Sequence, residues 1–201
     1  PMDFLLAMIA LIVLSPLLLT VAVLVGIKLG RPCLFAQERI GKDEKSFIMY
    51  KFRSMSDYKD ETGELLPDVD RITKLGSFLR RSSIDELPAL WNVVKGDMSL
   101  IGPRPLPMLY LPYFTEQERK RHSIRGGITG LAQINGRNAL SWEEKFNYDL
   151  MYVNKISFCE DVKIAIRTIK KVFQGADIGL RGISGPEDFN IYRECKEDRG
   201  E

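Results

Sequence analysis

The sequence predicts an α+β fold, mostly helical, carried by an apolar anchor. Three observations predict it: an uncharged apolar run over residues 4–27, two alternating segments around a polar loop within residues 37–52, and repeated helix-start signals from residue 72 onward. The 201 residues divide into an anchor over 1–30, one domain over 31–184 and a polar C-terminal tail over 185–201. A domain of that size buries enough surface to hold its own core.

A straight helix over the apolar run would reach ~36 Å at ~1.5 Å per residue, against a hydrocarbon core of ~30 Å. Ser15-Pro16 interrupts it. Pro16 offers no N–H to the Ile12 carbonyl and its ring crowds that carbonyl, so a kink is expected there, with Ser15 able to satisfy the freed backbone. A kinked span and a re-entrant helix that returns to its own face both stay open, and length slightly favours the span. The positive-inside rule puts Lys28 and Arg31 on the cytoplasmic side; Asp3, the only charge before the run, leaves the entry side open. The uncharged start, the apolar length and the missing cleavage pattern argue against a signal peptide.

Residues 37–40 and 47–52 flank Gly41-Lys42-Asp43-Glu44-Lys45 and predict a β-hairpin with a five-residue loop. Period two puts Phe47, Met49, Lys51 and Arg53 on one face. A solvated edge strand protected by its own cations would look the same. Residues 58–70, polar with Gly63 and Pro67, predict an exposed loop, and 72–81 a short basic helix ending in Arg80 and Arg81.

That helix delivers the chain to Ser83-Ile84-Asp85-Glu86-Leu87-Pro88. Proline is tolerated in a first turn but not farther in, which makes Asp85 the N-cap, Glu86 the first helical residue and Gly96 the close after Lys95. Both acids are ordinary choices at a helix start. The same place also attracts phosphate oxygens and would keep a capping carboxylate ionised. Adjacent helical residues project about 100° apart, so the two carboxylates should hold separate tasks rather than share a proton.

Gly96-Asp97-Met98-Ser99 and Gly102-Pro103-Arg104-Pro105 follow. Pro103 fixes its own φ and Pro105 holds Arg104 extended, so the guanidinium is set before a ligand arrives. Two carboxylates beside a braced arginine suit a phosphate ester: a carboxylate attacks phosphorus or holds a divalent cation, and a guanidinium grips phosphoryl oxygens with paired hydrogen bonds. Asp97 reads equally as a metal ligand or as a cap of the turn at Gly96.

Thr115-Glu116-Gln117-Glu118 and Ser141-Trp142-Glu143-Glu144 match capping boxes and predict helices starting at 116 and 142. The glycines at 126, 127, 130 and 136 predict turns, whose backbone N–H groups, with Arg137, would suit a nucleotide. Over residues 161–173, Val162, Ala165, Ile166, Ile169, Val172 and Phe173 share one helical face opposite Lys163, Arg167, Lys170 and Lys171. Packing on the core and docking at a membrane interface fit that helix equally. The charged residues 194–201 predict a mobile end.

Twenty-nine basic against 27 acidic residues leave little net charge, so the clusters at 71–81, 119–125 and 163–171 carry the electrostatics. Beside an apolar anchor they point to phospholipid headgroups and a nucleotide-sugar rather than to nucleic acid. Cys33, Cys159 and Cys195 are odd in number and lack metal-ligand spacing, which predicts reduced thiols and no zinc site.

The ordered motifs, from Ser15-Pro16 through Lys51-Phe52-Arg53-Ser54-Met55, Asp85-Glu86 and Gly102-Pro103-Arg104-Pro105 to Gly127-Ile128-Thr129-Gly130-Leu131-Ala132-Gln133-Ile134-Asn135-Gly136-Arg137-Asn138, closely resemble the bacterial sugar transferases of the small monotopic phosphoglycosyl transferase type. The resemblance covers the chain to about Phe173 and departs at Gly126, where many relatives have proline. It implies a broken re-entrant membrane helix, a small hairpin and amphipathic interfacial helices, with the catalytic domain on the cytoplasmic face of the bacterial inner membrane. The implied reaction moves a phospho-sugar from a UDP-sugar to undecaprenyl phosphate and releases UMP, with other glycosyltransferases of the pathway as further partners. Asp85 is then the nucleophile and a Mg²⁺ ligand, and Glu86 its catalytic companion. Lys51, Arg53, Arg80, Pro103, Arg104 and Arg137 bind substrate. Small relatives suggest UDP-N,N′-diacetylbacillosamine as donor, with galactose, glucose or N-acetylhexosamine donors as alternatives. A non-catalytic, membrane-anchored nucleotide-sugar-binding protein is the reading from a different class.

Overall fold

The computed structural model describes residues 2–136, 139–174 and 188–198. Helix α1 spans Met2–Leu29 and is helical through Pro16. The carbonyl that Pro16 deprives of its usual partner is that of Ile12, and the Ser15 hydroxyl donates to it at 2.7 Å. The backbone debt created by the proline is thus met within the helix.

One stripe of α1 faces the rest of the chain along its length. Ala7 is fully buried with Ala10, Leu11 and Leu14 against Leu90, Val93 and Met98, while Val21 and Val25, with Leu18, Ala22 and Leu29, pack on Phe52 and Leu79. The opposite side exposes Leu5, Ile9, Ile12, Val13, Leu19, Val23 and Ile27. Among the described residues α1 alone is long and apolar enough to cross a membrane.

Strands β1 (Leu34–Ile40) and β2 (Ser46–Phe52) form the expected hairpin, in antiparallel register from Leu34 opposite Phe52 to Ile40 opposite Ser46. β1 begins three residues before the predicted strand. A short 3₁₀ turn, Lys42–Glu44, closes the loop, with Asp43 and Glu44 at positive φ. The edge of β2 is covered by the fully buried Asn92, which accepts from Tyr50 N at 3.2 Å and donates to Ile48 O at 2.7 Å.

Helix α2 (Asp68–Arg71) ends the exposed loop, and α3 (Lys74–Arg81) starts behind Thr73, whose hydroxyl accepts from Gly76 N. Helix α4 (Leu90–Lys95) closes at Gly96, at φ 84°, as the sequence predicts. Strand β3 (Ser99–Ile101) then pairs in parallel with β4 (Gly127–Thr129), a strand where only a turn was expected. Both capping boxes form, at α5 (Glu116–Arg119) and α7 (Trp142–Asn154), with α6 (Leu131–Asn135) between them.

Helix α8 (Phe158–Gln174) turns Ile164, fully buried, and Thr168, bonded to Thr129 at 2.7 Å, toward the domain. The apolar stripe itself does not enter the core: Val162, Ile166 and Ile169 are exposed, together with Phe158. The C-terminal segment departs from the expected mobile tail. Helix α9 (Phe189–Asp198) inserts Phe189, fully buried, among Tyr110, Phe114, Trp142 and Phe146, with ring centroids 5.0–5.6 Å away. Arg193 pairs with Glu118, and Tyr192 bonds Glu143. One phenylalanine and these pairs outweigh the high local charge, which is what composition alone could not weigh.

The Asn92 arrangement makes a stability prediction. Replacing Asn92 with leucine leaves the part-buried Tyr50 N–H and Ile48 C=O without this partner, at up to roughly 1–3 kcal/mol each. Denaturant unfolding should show a loss of several kcal/mol, and a variant as stable as the parent would show that the β2 edge is satisfied otherwise.

Candidate active site

The site forms where β2, the turn after α3 and the loop after β3 meet. Ser83 takes a left-handed conformation, φ 56° and ψ 16°, and turns the chain into a 3₁₀ segment, Ile84–Ala89. This corrects the expected cap: Ser83, not Asp85, precedes the helical turn, and Asp85 and Glu86 lie within it. Pro88 sits in the same 3₁₀ segment, before α4 begins.

The two acids have opposite surroundings. Glu86 receives Lys51 Nζ on Oε1 at 2.9 Å and both terminal nitrogens of Arg104, Nη1 reaching Oε2 at 3.1 Å and Nη2 bonding Oε1. Burial alone would raise its pKa, but the Arg104 and Lys51 charges and hydrogen bonds hold the carboxyl well below its ordinary range. Asp85 is 8% exposed, and among the described residues its side chain has no hydrogen-bond or ion-pair partner. Burial, and then the Glu86 charge, push its carboxyl up to about 6 against the pull of Lys51, Arg104 and Arg80. The sequence-based expectation of a lowered Asp85 pKa is therefore reversed, because the cap that would lower it is not there. Lys51 itself is pushed below its usual value, first by burial and also by the Arg104 charge.

Arg80 stands behind Asp85, its Nε donating to Ser54 Oγ at 2.9 Å. Gly76 permits this approach of α3 to the end of β2, since a Cβ there would lie 1.7 Å from Ser54 O. Arg53 is not drawn to the acids; it pairs with Asp57. Asp97 accepts from Lys95 Nζ at 3.0 Å and Asn92 Nδ2 at 3.2 Å, so it serves the turn. Pro103 ties its carbonyl to Gly127 N at 2.9 Å. Arg137 lies outside the described residues.

The basic segment at 119–125 is internal only at Arg121 and His122, while Lys120 and Arg125 are exposed, so its reading as a headgroup or nucleotide surface is corrected for those two residues. Arg119 and His122 hold Glu44 at the hairpin tip, at 2.7 and 3.4 Å, and Arg121 pairs with Asp149 in the interior. Burial, helped by the Arg121 charge, lowers His122 to about 4, so at neutral pH its link to Glu44 is a hydrogen bond. Ser54, Arg39, Arg121 and Asp149 all support the site; Ser54 entered the sequence reading only within a motif and Arg121 only within a basic cluster, and Arg39 and Asp149 were not singled out. Only one signal pointed toward such residues: a loop with two prolines must find donors for its carbonyls elsewhere.

A buried acid without a partner, next to one clamped by two cations, is set up for chemistry on an anionic group. Residues 1–175 match the family described as Bacterial sugar transferase. The chain belongs to the bacterial sugar transferase family. It is 55% identical over 156 residues to the uncharacterized sugar transferase EpsL of Bacillus subtilis, covering 78% of this chain and 77% of that protein. It is 39% identical over 182 residues to the UDP-N-acetylgalactosamine-undecaprenyl-phosphate N-acetylgalactosaminephosphotransferase of Aeromonas hydrophila, and 39% over 181 residues to the UDP-glucose:undecaprenyl-phosphate glucose-1-phosphate transferase of Xanthomonas campestris. These matches cover 87% and 85% of this sugar transferase but only 43% and 37% of the two larger proteins.

The raised Asp85 carboxyl has a stability consequence. Its folded pKa lies above the unfolded value, so the native state holds the proton more tightly and loses stability as pH rises through about 6. Ionised Asp85 costs on the order of 3 kcal/mol at neutral pH. Asp85→Asn should melt above the parent at pH 7.5, with the gap narrowing as pH falls from about 6 toward 4; a pH-independent difference would refute the raised pKa.

Proposed function

We propose that this sugar transferase moves a phospho-sugar from a UDP-sugar to undecaprenyl phosphate in two steps through Asp85. The observation that carries the reading is the partner-free, buried Asp85 carboxylate beside Lys51, Arg80 and Arg104. An Asp85 oxygen attacks the sugar-linked phosphorus, the bond to the UMP oxygen breaks, and UMP leaves with the electron pair. An oxygen of undecaprenyl phosphate then attacks the same phosphorus and releases the Asp85 carboxylate, leaving the lipid diphosphate-sugar. Lys51, Arg80 and Arg104 offset the repulsion between anionic nucleophile and anionic donor.

Glu86 holds Arg104 and Lys51 in place. A carboxyl kept well below its ordinary range is a poor base, which favours this orienting role over proton acceptance from the lipid phosphate. Arg104 spends two N–H groups on Glu86 and retains Nε–H and one hydrogen on each terminal nitrogen for phosphoryl oxygens.

The residues fit Mg²⁺ as an ion shared with the donor. Such ions are commonly held by one or two carboxylates together with phosphate oxygens. Asp85 offers one carboxylate without a protein partner, and among the described residues no group of three or more His, Cys, Asp or Glu converges. When bound, the ion would neutralise charge on the diphosphate.

The packing of α1 supports re-entry from the cytoplasmic face of the inner membrane. A helix crossing the bilayer away from its domain touches that domain at one end, whereas α1 contacts it from Ala7 to Leu29. The exposed side of α1 and the Phe158, Val162, Ile166, Ile169 stripe of α8 would enter the lipid interface, with Lys163, Arg167 and Lys170 near anionic headgroups.

Two relatives carry UDP-N-acetylgalactosamine and UDP-glucose in their names, and a third, 41% identical, is the galactosyl transferase CpsE of Streptococcus agalactiae. Hexose and N-acetylhexosamine donors thus join N,N′-diacetylbacillosamine in the panel to be assayed with undecaprenyl phosphate and Mg²⁺. Asp85→Asn should abolish both UMP release and labelling of the protein by a sugar-labelled donor. Substantial turnover by Asp85→Ala would instead mean direct transfer or another nucleophile. Arg104→Lys keeps the charge but loses the planar fork, and its turnover should fall by about 10- to 100-fold.

The topology is tested separately. With the native cysteines replaced by serine, cysteines at positions 2 and 28 should both label from the cytoplasmic side. Labelling of position 2 from the periplasm would exclude re-entry.

A further inference from the structure

The loop that carries Arg104 is entered by Gly102, whose N–H donates to Thr129 O at 2.9 Å, and is held beyond that point through its carbonyls. Pro103 O accepts from Gly127 N at 2.9 Å and Leu106 O from Ile40 N at 2.9 Å. Between them, two side chains replace the missing backbone partners: Arg39 Nη1 donates to Pro105 O at 3.0 Å, and Arg121 Nη2 donates to Arg104 O at 2.8 Å. Arg121 is buried to 2% side-chain exposure, and Asp149, at 4%, receives its Nε at 2.9 Å and its Nη2 at 2.7 Å.

Arg121 therefore serves a carbonyl and a carboxylate at once, a task that needs a planar guanidinium. The rings of Phe114 and Phe146 close over it, at 5.7 and 5.6 Å from Cζ. Phe189 packs on both rings, and it comes from α9, beyond residue 175 where the family match ends. That aromatic wall covers the Arg121 guanidinium and limits the positions it can take.

We propose that Arg121, oriented by Asp149 and sealed in by Phe189 of α9, is a positioning residue that fixes the Arg104 backbone for phosphate binding. The inference rests on the proposed reaction for its purpose, but not for its geometry. It also gives the C-terminal helix a part in the site that lies outside the matched family segment.

The experiment compares the full-length parent, Arg121→Lys, Asp149→Asn and Phe189→Leu by hydrogen–deuterium exchange over residues 98–107 and 126–130, and by transfer kinetics in the parent and Arg104→Ala backgrounds. Arg121→Lys should speed exchange in both segments. It should also lower kcat/KM by about 10- to 100-fold in the parent background but cause little further loss once Arg104 is gone, since residues acting as a unit are non-additive. Phe189→Leu should do the same more weakly. Unchanged exchange in Arg121→Lys and Asp149→Asn, or an equal loss with and without Arg104, overturns the proposal. If the parent transfers no phospho-sugar, the proposed reaction fails, and the exchange data still decide whether Arg121 fixes the loop. Should Arg121→Lys not fold, Asp149→Asn, which keeps an acceptor for Arg121 but loses the charge, is read by the same criteria.

Discussion

The Glu86 carboxylate joins three segments that are remote in sequence: β2 through Lys51, the 3₁₀ turn through its own backbone, and the β3–β4 region through Arg104. The side chains of Lys51, Glu86 and Arg104 keep 17%, 19% and 35% exposure, so removing one leaves its partners charged and unpaired at less than the roughly 3–5 kcal/mol of a fully buried pair. The three segments are thus tied together by a grip that cannot be loosened one residue at a time. Asp85, next along the chain, sees the same cations but receives no bond from them, and its pKa moves in the opposite direction. One acid holds the site together, and its neighbour bears the desolvation that raises its pKa.

The anchor is part of the core. If α1 were a simple tether, its whole circumference would face lipid, but Ala7, Val21 and Val25 are buried against the domain. Ala89, fully buried in the same cluster as Ala7, ends the 3₁₀ segment that holds Asp85 and Glu86. Membrane seating and active-site geometry therefore share one packed contact, which suits an enzyme whose proposed acceptor is a lipid and whose proposed donor is water-soluble.

Much of this was legible in the sequence because the signals were local. Thr115 and Ser141 fixed two helix starts to the residue, Gly96 closed α4, and the alternation around residues 41–45 gave the hairpin. The Asp85-Glu86 pair and Arg104 were found together, as the motifs suggested. What failed depended on backbone conformation and on which partner a side chain takes. Asp85 looked like an N-cap because its helix was assumed to be α; Ser83 in the left-handed region started a 3₁₀ turn instead. Arg53 shared a predicted face with Lys51, yet the strand ends at Phe52 and Arg53 pairs with Asp57 beyond it. The C-terminal residues looked unstructured by charge, although Phe189, with the Arg193–Glu118 and Tyr192–Glu143 contacts, holds α9 on the domain.

The two prolines around Arg104 show why the supporting network could not be read from neighbouring residues. In the Gly102–Pro105 segment, Gly102 N–H continues the β3–β4 pairing by donating to Thr129 O at 2.9 Å, but Pro103 and Pro105 fix the backbone and remove the next donors. Its carbonyls still require partners in the interior, since an unsatisfied buried carbonyl costs about 1–3 kcal/mol. Gly127 N meets Pro103 O, whereas Arg104 O and Pro105 O are reached by long side chains from outside the sheet. Of the cationic ones, arginine can hold its own carboxylate while donating to a carbonyl. Arg39 and Arg121 are the result, and Arg121 requires Asp149 because a buried guanidinium needs a counter-charge. The backbone of Arg104, the arginine proposed to face phosphate, is thus held by a second, buried arginine.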